Sequence, residues 1–446
     1  MKIFKWLLIL LLGIFIFALI SNYPKLNIIS GYSAKNTSSS VFVGHRNLAL
    51  TDSTDNAFSP VNLAKDEVDF NIKKASASVF GMLERTAIYR EGLGSVLINE
   101  TYDPNKPYLT PNRTKNKIDS IAYPFGSGEP VDSLFSSLDY NQLKNAISNA
   151  FDKKNENIKQ TRAVLVLYKD HIIGERYAAG FNEKSVFLGW SMTKSIISTL
   201  YGVLEHQKKL SITDKAPIEE WKNDNRAAID LSDLLQMNSG LEWDENYGTI
   251  SDVTKMLFLE SNMTTPQIYK PAIANPGEVW NYSSGTSNLL SGILRDQFAT
   301  HQEYLDFPYE ALIDKIGMHS MLMEADLDGN YVASSYGWGT ARDWAKFGVL
   351  YLHKGNWNGA QVFNPNWVSY VTTPAPNSGK DYGAHFWLNA GAKLPDVPKS
   401  IYYADGFQGQ RVFIIPSHDM IVVRFGLSNI DFNAFLKEIL ASVKPS

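Results

Sequence analysis

The chain has 446 residues, with 42 Lys and Arg against 46 Asp and Glu, which gives a formal net charge of −4. A hydrophobic fraction of 44% and a charged fraction of 20% are typical of a globular protein with a large core. The absence of cysteine excludes a disulfide framework, a thiol nucleophile, a cysteine-ligated metal and a lipid-bearing cysteine anchor. The balanced charge argues against a nucleic-acid partner. Any catalytic nucleophile must be a hydroxyl, a carboxylate, an amine or a bound water.

The first twenty residues have the pattern of an export segment. Lys2 and Lys5 precede an uncharged apolar run over residues 6–20. No clear small-residue cleavage site follows, which favours an uncleaved membrane anchor slightly over a cleaved signal peptide. The rest of the chain is then expected in a bacterial periplasm or cell envelope, with inner-membrane contact through this segment only.

Residues 21–135 are rich in Asn, Ser, Thr, Asp and Pro, with short strand-like runs at 40–43 and 86–89. A free linker would lack such apolar runs. We therefore predict an irregular extension that packs on a main domain spanning 136–446.

The main domain is predicted to begin and end with sheet strands. Periodicity and turn residues predict, in order, a helix at 139–151, a hairpin at 163–177, mostly helical segments over 191–350, strands at 412–415 and 421–425, and a closing helix at 431–443. This order predicts an α+β fold, an α/β sandwich. Its antiparallel sheet joins strands from both ends of the domain, is flanked by helices and carries a mostly helical insert.

A serine and a lysine lie one helical turn apart at the predicted start of a helix. Apolar residues follow Ser191, and Lys194 would share a helix face with it. Burial and the positive end of the helix dipole both lower the pKa of a lysine there, so that it could act as the base for a serine nucleophile. From these four residues alone, a helix-capping serine with an exposed lysine is the favoured alternative.

Two later segments could complete such a site. Tyr282 follows a Pro-Gly turn and precedes a helix, where it could relay a proton or simply pack. The glycine-rich segment 403–411 precedes a strand, and its backbone N–H could join that of Ser191 in an oxyanion hole. The alternative is a glycine-rich entry to the strand.

Taken together, these motifs resemble those of the serine β-lactamase-like hydrolases of the class C type. Within that family the chain looks most like the branch of 6-aminohexanoate-dimer hydrolases and related esterases. The likeness starts near residue 139 and reaches the C-terminus. Four segments match in the family's order: 191–194, 233–241, 276–284 and 339–348.

The resemblance implies a role for each matching position. Ser191 would be the nucleophile, Lys194 its base and Tyr282 the proton relay. Gln408 and Gly409 would contribute to the oxyanion hole and substrate contacts. The resemblance further implies substrate contacts for Ser284 and for Tyr247, on a loop that would close over the substrate; an exposed loop aromatic is the alternative for Tyr247.

The third family motif departs from the pattern. The Lys-Thr-Gly triad of β-lactamases and penicillin-binding proteins is absent, and so is the histidine variant of esterases. A substrate carboxylate would need another cation, for which Arg411 is a candidate. This departure favours neutral or amine-bearing amides and esters over β-lactams.

We therefore predict a serine hydrolase that cleaves a small amide or ester through an acyl-enzyme. The alternative is a non-catalytic, penicillin-binding-like envelope binding or sensor domain. The eight histidines lack metal-ligand spacing, and the sequence has no phosphate loop or dinucleotide fingerprint, so no metal or cofactor is predicted. His385 is interpreted as a satisfied core or surface histidine. The natural substrate and a homodimer are left open.

Overall fold

The computed structural model describes residues 2–153 and 158–444, which form two compact units. One unit comprises the chain up to Arg90 together with Gly94–Asn105 and Asp244–Ser261. The other comprises Glu91–Leu93, Lys106–Trp243 and the chain from Asn262 onward.

The helices and strands of the described residues follow in chain order. The α-helices are α1 Lys2–Phe42, α2 Leu48–Leu50, α3 Tyr140–Asn149, α4 Thr193–His206, α5 Leu231–Leu235, α6 Asp252–Phe258, α7 Ser284–Arg295, α8 His301–Pro308, α9 Ala341–Leu352, α10 Asn366–Thr372 and α11 Phe432–Leu440. The strands are β1 Ala64–Asp69, β2 Lys74–Val79, β3 Met82–Arg90, β4 Gly94–Leu97, β5 Thr161–Tyr168, β6 His171–Tyr177, β7 Val186–Leu188, β8 Leu322–Met323, β9 Gly337–Thr340, β10 Asn356–Trp357, β11 Ala360–Gln361, β12 Trp387–Leu388, β13 Tyr402–Gly406, β14 Gln410–Ile415 and β15 Met420–Gly426.

The first unit contains a regular sheet where an irregular extension was expected. Strands β1 to β4 form an antiparallel sheet in sequential order, and buried small residues alternate along β2. The run 86–89 lies in β3 as predicted, whereas most of the run 40–43 ends helix α1. The long helix overrides the strand propensity of Val41 and Phe42, because the small side chains before them let it be buried on nearly all sides over residues 29–41.

Helix α1 also continues through the predicted boundary at residue 20. Within residues 2–153 and 158–444, no helix has the combined length and apolarity of a membrane span. The predicted anchor at 6–20 stays a prediction.

The second unit has the predicted sandwich. Its six-stranded antiparallel sheet has the order β12-β13-β14-β15-β5-β6, so the last long strand pairs with the first, Val423 opposite Leu165. These two residues belong to a large core with α4 and α9, and their neighbours Val164 and Val422 belong to a smaller core with α3 and α11. The alternation follows from the two-residue period of strands that are buried on both faces.

The flanking helices form close to their predicted positions because their caps are encoded locally. Asp139 accepts hydrogen bonds from the N–H groups of Asn141 and Gln142 at the start of α3, and Asp431 accepts one from Ala434 at the start of α11.

The segment between β6 and β12 is mostly helical, as predicted, but it also contains two small sheets. Strands β7, β9 and β8 pair in that order, and β10 pairs with β11. These strands have two to four residues, too short for a reliable alternation of hydrophobic and polar residues. Strand β7 matters for the site, because it leads directly into the turn that contains Ser191.

Candidate active site

Ser191 lies in a tight turn, Trp190–Met192, that leads into α4. The Gly189 N–H donates to the Gly337 carbonyl at 2.7 Å, and a Cβ at Gly189 would lie 2.5 Å from the Trp344 ring. Trp190 has a φ of 48°, which a bulky residue rarely adopts. The close packing around Gly189 therefore holds Ser191 in a fixed position at the helix start.

Lys194 is 1% exposed, which excludes the alternative of a surface lysine. Its Nζ donates to Ser191 Oγ at 3.1 Å, to Ser284 Oγ at 2.9 Å and to the Ser334 carbonyl at 2.9 Å. An ammonium group could donate to all three, and a neutral amine could donate to two of them and accept from the hydroxyl of Ser191. The backbone carbonyl of Ser334 has no sequence signal and was missed by sequence reasoning.

Tyr282 lies close to the lysine, two residues before Ser284 begins α7. The Lys194 Nζ is 4.9 Å from the centroid of the Tyr282 ring. The intervening Ser283 caps α7 by accepting a hydrogen bond from the Thr286 N–H at 2.9 Å. The structure thus brings together the serine, the lysine, the tyrosine and Ser284, the residues to which the family resemblance assigned roles.

The matched segment 233–241 supports the tyrosine loop. The Met237 carbonyl accepts from the Asn281 N–H at 2.8 Å, and the Asn238 carbonyl accepts from the Gly277 N–H at 2.8 Å. A Cβ at Gly240 would lie 2.3 Å from the Ala274 carbonyl oxygen, so this turn can approach the loop only with glycine there.

An aromatic cluster borders Tyr282. Its ring lies 5.5 Å from Trp387 and 5.8 Å from Tyr382, and Trp280 contacts the same rings. The sequence did not predict Trp387 and Tyr382 as site residues, although they flank His385 in the chain.

The turn between β13 and β14 lies beside the serine turn. A Cβ at Gly406 would be 2.1 Å from the Gly189 carbonyl oxygen, and the Phe407 ring meets Trp190 edge-on at 5.7 Å. Gln408 and Gly409 follow with φ of 61° and 79°. Both residues predicted for the oxyanion hole therefore lie in a turn next to Ser191.

Arg411 does not provide the unpaired cation that the sequence suggested. Its guanidinium pairs with Asp405 at 2.6 Å across β13 and β14 and lies 4.6 Å from the Phe432 ring. Burial raises the pKa of Asp405 to about 6, opposed by the positive charges of Arg411, Lys393 and Lys194. The positive charge of Arg411 is therefore already balanced by a carboxylate.

His385 is a core histidine, 2% exposed. Its Nδ1 is 2.6 Å from the Leu235 carbonyl and its Nε2 is 2.9 Å from Ser287 Oγ. Since a carbonyl can only accept, Nδ1 carries the proton and Nε2 accepts from the serine. Burial, together with the charge of Lys194, lowers the pKa of His385 to about 3, opposed by the hydrogen bond to the Leu235 carbonyl. The residue is neutral and links α5 to α7 behind the lysine.

Tyr247 belongs to the other compact unit. It is 47% exposed, and its hydroxyl donates to Glu245 at 3.0 Å. Its predicted substrate contact stays a prediction. In the described part of the chain, no group of three His, Asp or Glu side chains could hold a metal ion.

Comparisons with solved structures show that the chain has a known fold. A Bacillus anthracis protein provisionally named 6-aminohexanoate-dimer hydrolase matches 74% of this chain and 89% of its own, with 20% identity and a TM-score of 0.58. A Bacteroides dorei protein provisionally named β-lactamase matches 69% and 99%, with 15% identity and a TM-score of 0.56. The hydrolase EstCE1, which has promiscuous acyltransferase activity, matches 68% and 98%, with 13% identity and a TM-score of 0.54. At these identities the likeness shows the fold alone.

A search of curated proteins found no match to the sequence. The family model for β-lactamase matches residues 155–439, which is more than half of the chain and includes every residue around Lys194 described above. The chain therefore belongs to the β-lactamase family of serine hydrolases, which confirms the family and the fold predicted from its motifs.

Proposed function

We propose that this protein cleaves a small amide or ester through a covalent acyl-enzyme on Ser191. The observation that carries the proposal is the 3.1 Å contact between the Lys194 Nζ and the Ser191 Oγ in a buried position. A neutral lysine there can take the hydroxyl proton as the oxygen attacks a carbonyl carbon. The Ser284 hydroxyl and the Ser334 carbonyl orient the amine for that transfer.

The remaining steps follow from the same group of side chains. When the tetrahedral intermediate collapses, the proton passes from Lys194 through Tyr282 to the departing amine or alkoxide. A water then attacks the acyl carbon and gives a proton to Lys194; the bond to Ser191 Oγ breaks, the proton returns to that oxygen, and the acid leaves. The N–H groups of Ser191 and Gln408 stabilise the oxyanion in both halves of the reaction.

The pairing of charges beside the turn between β13 and β14 supports a substrate that binds without a cationic side chain of the protein. Arg411 is paired with Asp405, and the Tyr282 side of the site is lined by aromatic rings. We propose neutral or amine-bearing amides and esters with an apolar acyl group as the substrate class.

Hydrolysis of a p-nitrophenyl ester and labelling by a fluorophosphonate test the proposal. Ser191→Ala should abolish both, and Lys194→Ala should lower kcat at least about 1,000-fold because the base is lost. Lys208→Ala, which removes an exposed lysine after the same helix, is the matched control and should leave kcat unchanged. Label that persists in Ser191→Ala would refute the nucleophile.

The alternative, a non-catalytic binding domain, is favoured by the missing third-motif cation. It predicts slow acylation by a penicillin or fluorophosphonate probe without turnover. Steady ester hydrolysis that is lost in Lys194→Ala would exclude it.

We also propose export through the N-terminal segment, on the basis of Lys2, Lys5 and the apolar run 6–20. Alkaline phosphatase fused to the C-terminus in a bacterial host should be active, since the enzyme needs an oxidising compartment. An inactive, fully expressed fusion would refute export.

A further inference from the structure

Gln410, the first residue of β14, is 3% exposed and directs its side-chain amide back into the turn beside Ser191. Its Nε2 donates to the Phe407 carbonyl at 2.9 Å and to the Gly426 carbonyl at 2.6 Å. Its Oε1 accepts from the Gly426 N–H at 3.0 Å. The side chain is therefore fixed to β15 on one side and holds one peptide group of the turn on the other.

The peptide group held by Gln410 is the one that contains the Gln408 N–H. This peptide bond is trans, so its C=O and N–H point in opposite directions. Because the Phe407 carbonyl points toward Gln410, the Gln408 N–H points away from it.

The turn conformation needs such support. Gln408 has a φ of 61°, a left-handed conformation that costs a residue with a Cβ about 1 kcal/mol or more. Such a conformation persists only where the surroundings impose it.

Arg424 fixes the rest of the turn. It is fully buried, and its Nη1 donates to the carbonyls of Gln408 and Gly409, each at 3.1 Å. The same Nη1 reaches the Ser428 carbonyl at 2.7 Å, and Nη2 donates to Thr161 Oγ1 at 2.9 Å. Three successive carbonyls, from Phe407 to Gly409, are thus held by two buried side chains.

We propose that Gln410 is a positioning residue for the reaction: by holding the Phe407 carbonyl, it keeps the Gln408 N–H aimed at the oxyanion position next to Ser191. The inference rests on the proposed function, because an oxyanion forms only if Ser191 attacks a carbonyl. Gln410 itself does not touch the substrate; it acts through the direction of one N–H. Loss of one such donor typically costs about 100- to 1,000-fold in kcat, and a misdirected donor retains part of that effect.

Gln410→Met tests the proposal, because methionine has a similar length but cannot donate to the carbonyls. Gln361→Met is the matched control: the Gln361 Nε2 also donates to two carbonyls of a turn, those of Lys354 at 2.8 Å and Phe363 at 2.6 Å. The readouts are kcat and KM for a p-nitrophenyl ester, and the inhibition constant of a phenylboronic acid, whose adduct with a serine is a tetrahedral anion.

Gln410→Met should lower kcat about 10- to 100-fold and weaken boronate inhibition by a similar factor, with KM changed less than about threefold. Gln361→Met should leave all three unchanged. Wild-type kcat and boronate affinity in Gln410→Met would overturn the inference, and so would equal losses in the two variants, which would indicate general destabilisation.

A measurement on the unmodified protein keeps the test valid if Gln410→Met fails to fold. The amide proton of Gln408 should shift downfield when the boronate adduct forms on the wild-type protein. An unchanged shift, with ester hydrolysis intact, would overturn the inference alone. A wild-type protein that neither hydrolyses the ester nor labels at Ser191 would overturn the proposed function and the inference with it.

Discussion

Arg411 and Asp405 face each other across two neighbouring strands, with a guanidinium nitrogen 2.6 Å from a carboxylate oxygen. Arg411 Nη1 also donates to the carbonyls of Gly406 and Gln410, at 3.1 and 2.9 Å. The only cation that the sequence offered next to the third motif is therefore committed within the protein. The effect of this pairing can therefore be tested with substrates whose acyl groups differ only in charge.

Acyl groups that carry a carboxylate should be poor substrates. Among p-nitrophenyl esters of equal chain length, an ω-carboxy acyl group should give a kcat/KM at least about tenfold below that of a neutral one, because its desolvated charge finds no free partner at Arg411. An ω-amino acyl group should react at least as well as the neutral one. Equal values for the carboxylate and the neutral ester would contradict this prediction.

Asp405→Asn should reduce the penalty on the carboxylate ester. The substitution frees a positive charge at Arg411 and removes the carboxylate that balances it. We expect the ratio of kcat/KM between neutral and carboxylate esters to fall at least threefold. The matched control is Asp396→Asn, which removes an exposed carboxylate paired with Lys437 and should leave the ratio unchanged.

Substitutions of two adjacent serines at the start of α7 should have different effects, one on kcat and the other on the free energy of unfolding. Ser284→Ala removes an acceptor from the Lys194 amine and should lower kcat about tenfold or more, with little change in unfolding free energy. Ser283→Ala removes the helix cap and should cost about 1 kcal/mol of stability with kcat changed less than threefold. Ester kinetics and urea unfolding measure both. The opposite pattern, or parallel losses, would contradict the assigned role of Ser284.

The fold was predictable where helix caps and apolar runs in the sequence coincide with the helices and paired strands of the structure. Asp139 and Asp431 stand at the caps of their helices, and β5 and β15 are apolar runs that could be recognised without their partners. Helix α1 and the sheet beside it were not predictable in the same way. Val41 and Phe42 locally favour a strand, and the helix forms there only because the small residues before them can be buried.

The site was predictable as far as its side chains form motifs. Ser191 and Lys194 lie together as their helical spacing indicated, and Tyr282 and Ser284, which the family resemblance assigned to the site, lie beside the lysine. The contacts made by backbone groups and by later strands were not visible: the Ser334 carbonyl has no residue-type signal, and the Asp405–Arg411 pair depends on the register of β13 with β14.

Protonation of His385 should destabilise the protein in acid. Its pKa in the folded state is about 3, below the unfolded value of 6.5, so the unfolded state binds more protons between these two values. Stability linked to this group is therefore full above about pH 6.5 and is lost as the pH falls toward 3, by up to about 1.4 kcal/mol per pH unit. Asp405, with a raised pKa, acts in the opposite direction over its own range.

His385→Asn isolates that contribution. Asparagine tolerates the φ of 62° at this position and can still donate to the Leu235 carbonyl. At pH 7 the variant should be less stable than the wild type by about 1–3 kcal/mol, because Ser287 loses its acceptor. The gap should narrow as the pH is lowered to 4.5, since only in the wild type does unfolding expose an imidazole that takes up a proton, which favours the unfolded state. Unfolding free energies in urea that stay parallel across this range would refute the prediction.

The contact between Gly406 and Gly189 should be required for activity. A Cβ at Gly406 would lie 2.1 Å from the Gly189 carbonyl oxygen, a backbone atom that can move only with the Ser191 turn. Gly406→Ala should therefore separate the turn of Gln408 from Ser191, lowering kcat at least about tenfold at a cost in stability of about 1–3 kcal/mol. Gly174→Ala is the matched control: its Cβ would meet the flexible end of Ile147 at 2.3 Å, in the smaller core of α3 and α11, and β6 lies at the opposite edge of the sheet from β12. Gly174→Ala should lower the free energy of unfolding and leave kcat unchanged. A Gly406→Ala variant with wild-type kcat would show that the reaction does not require contact between the two turns.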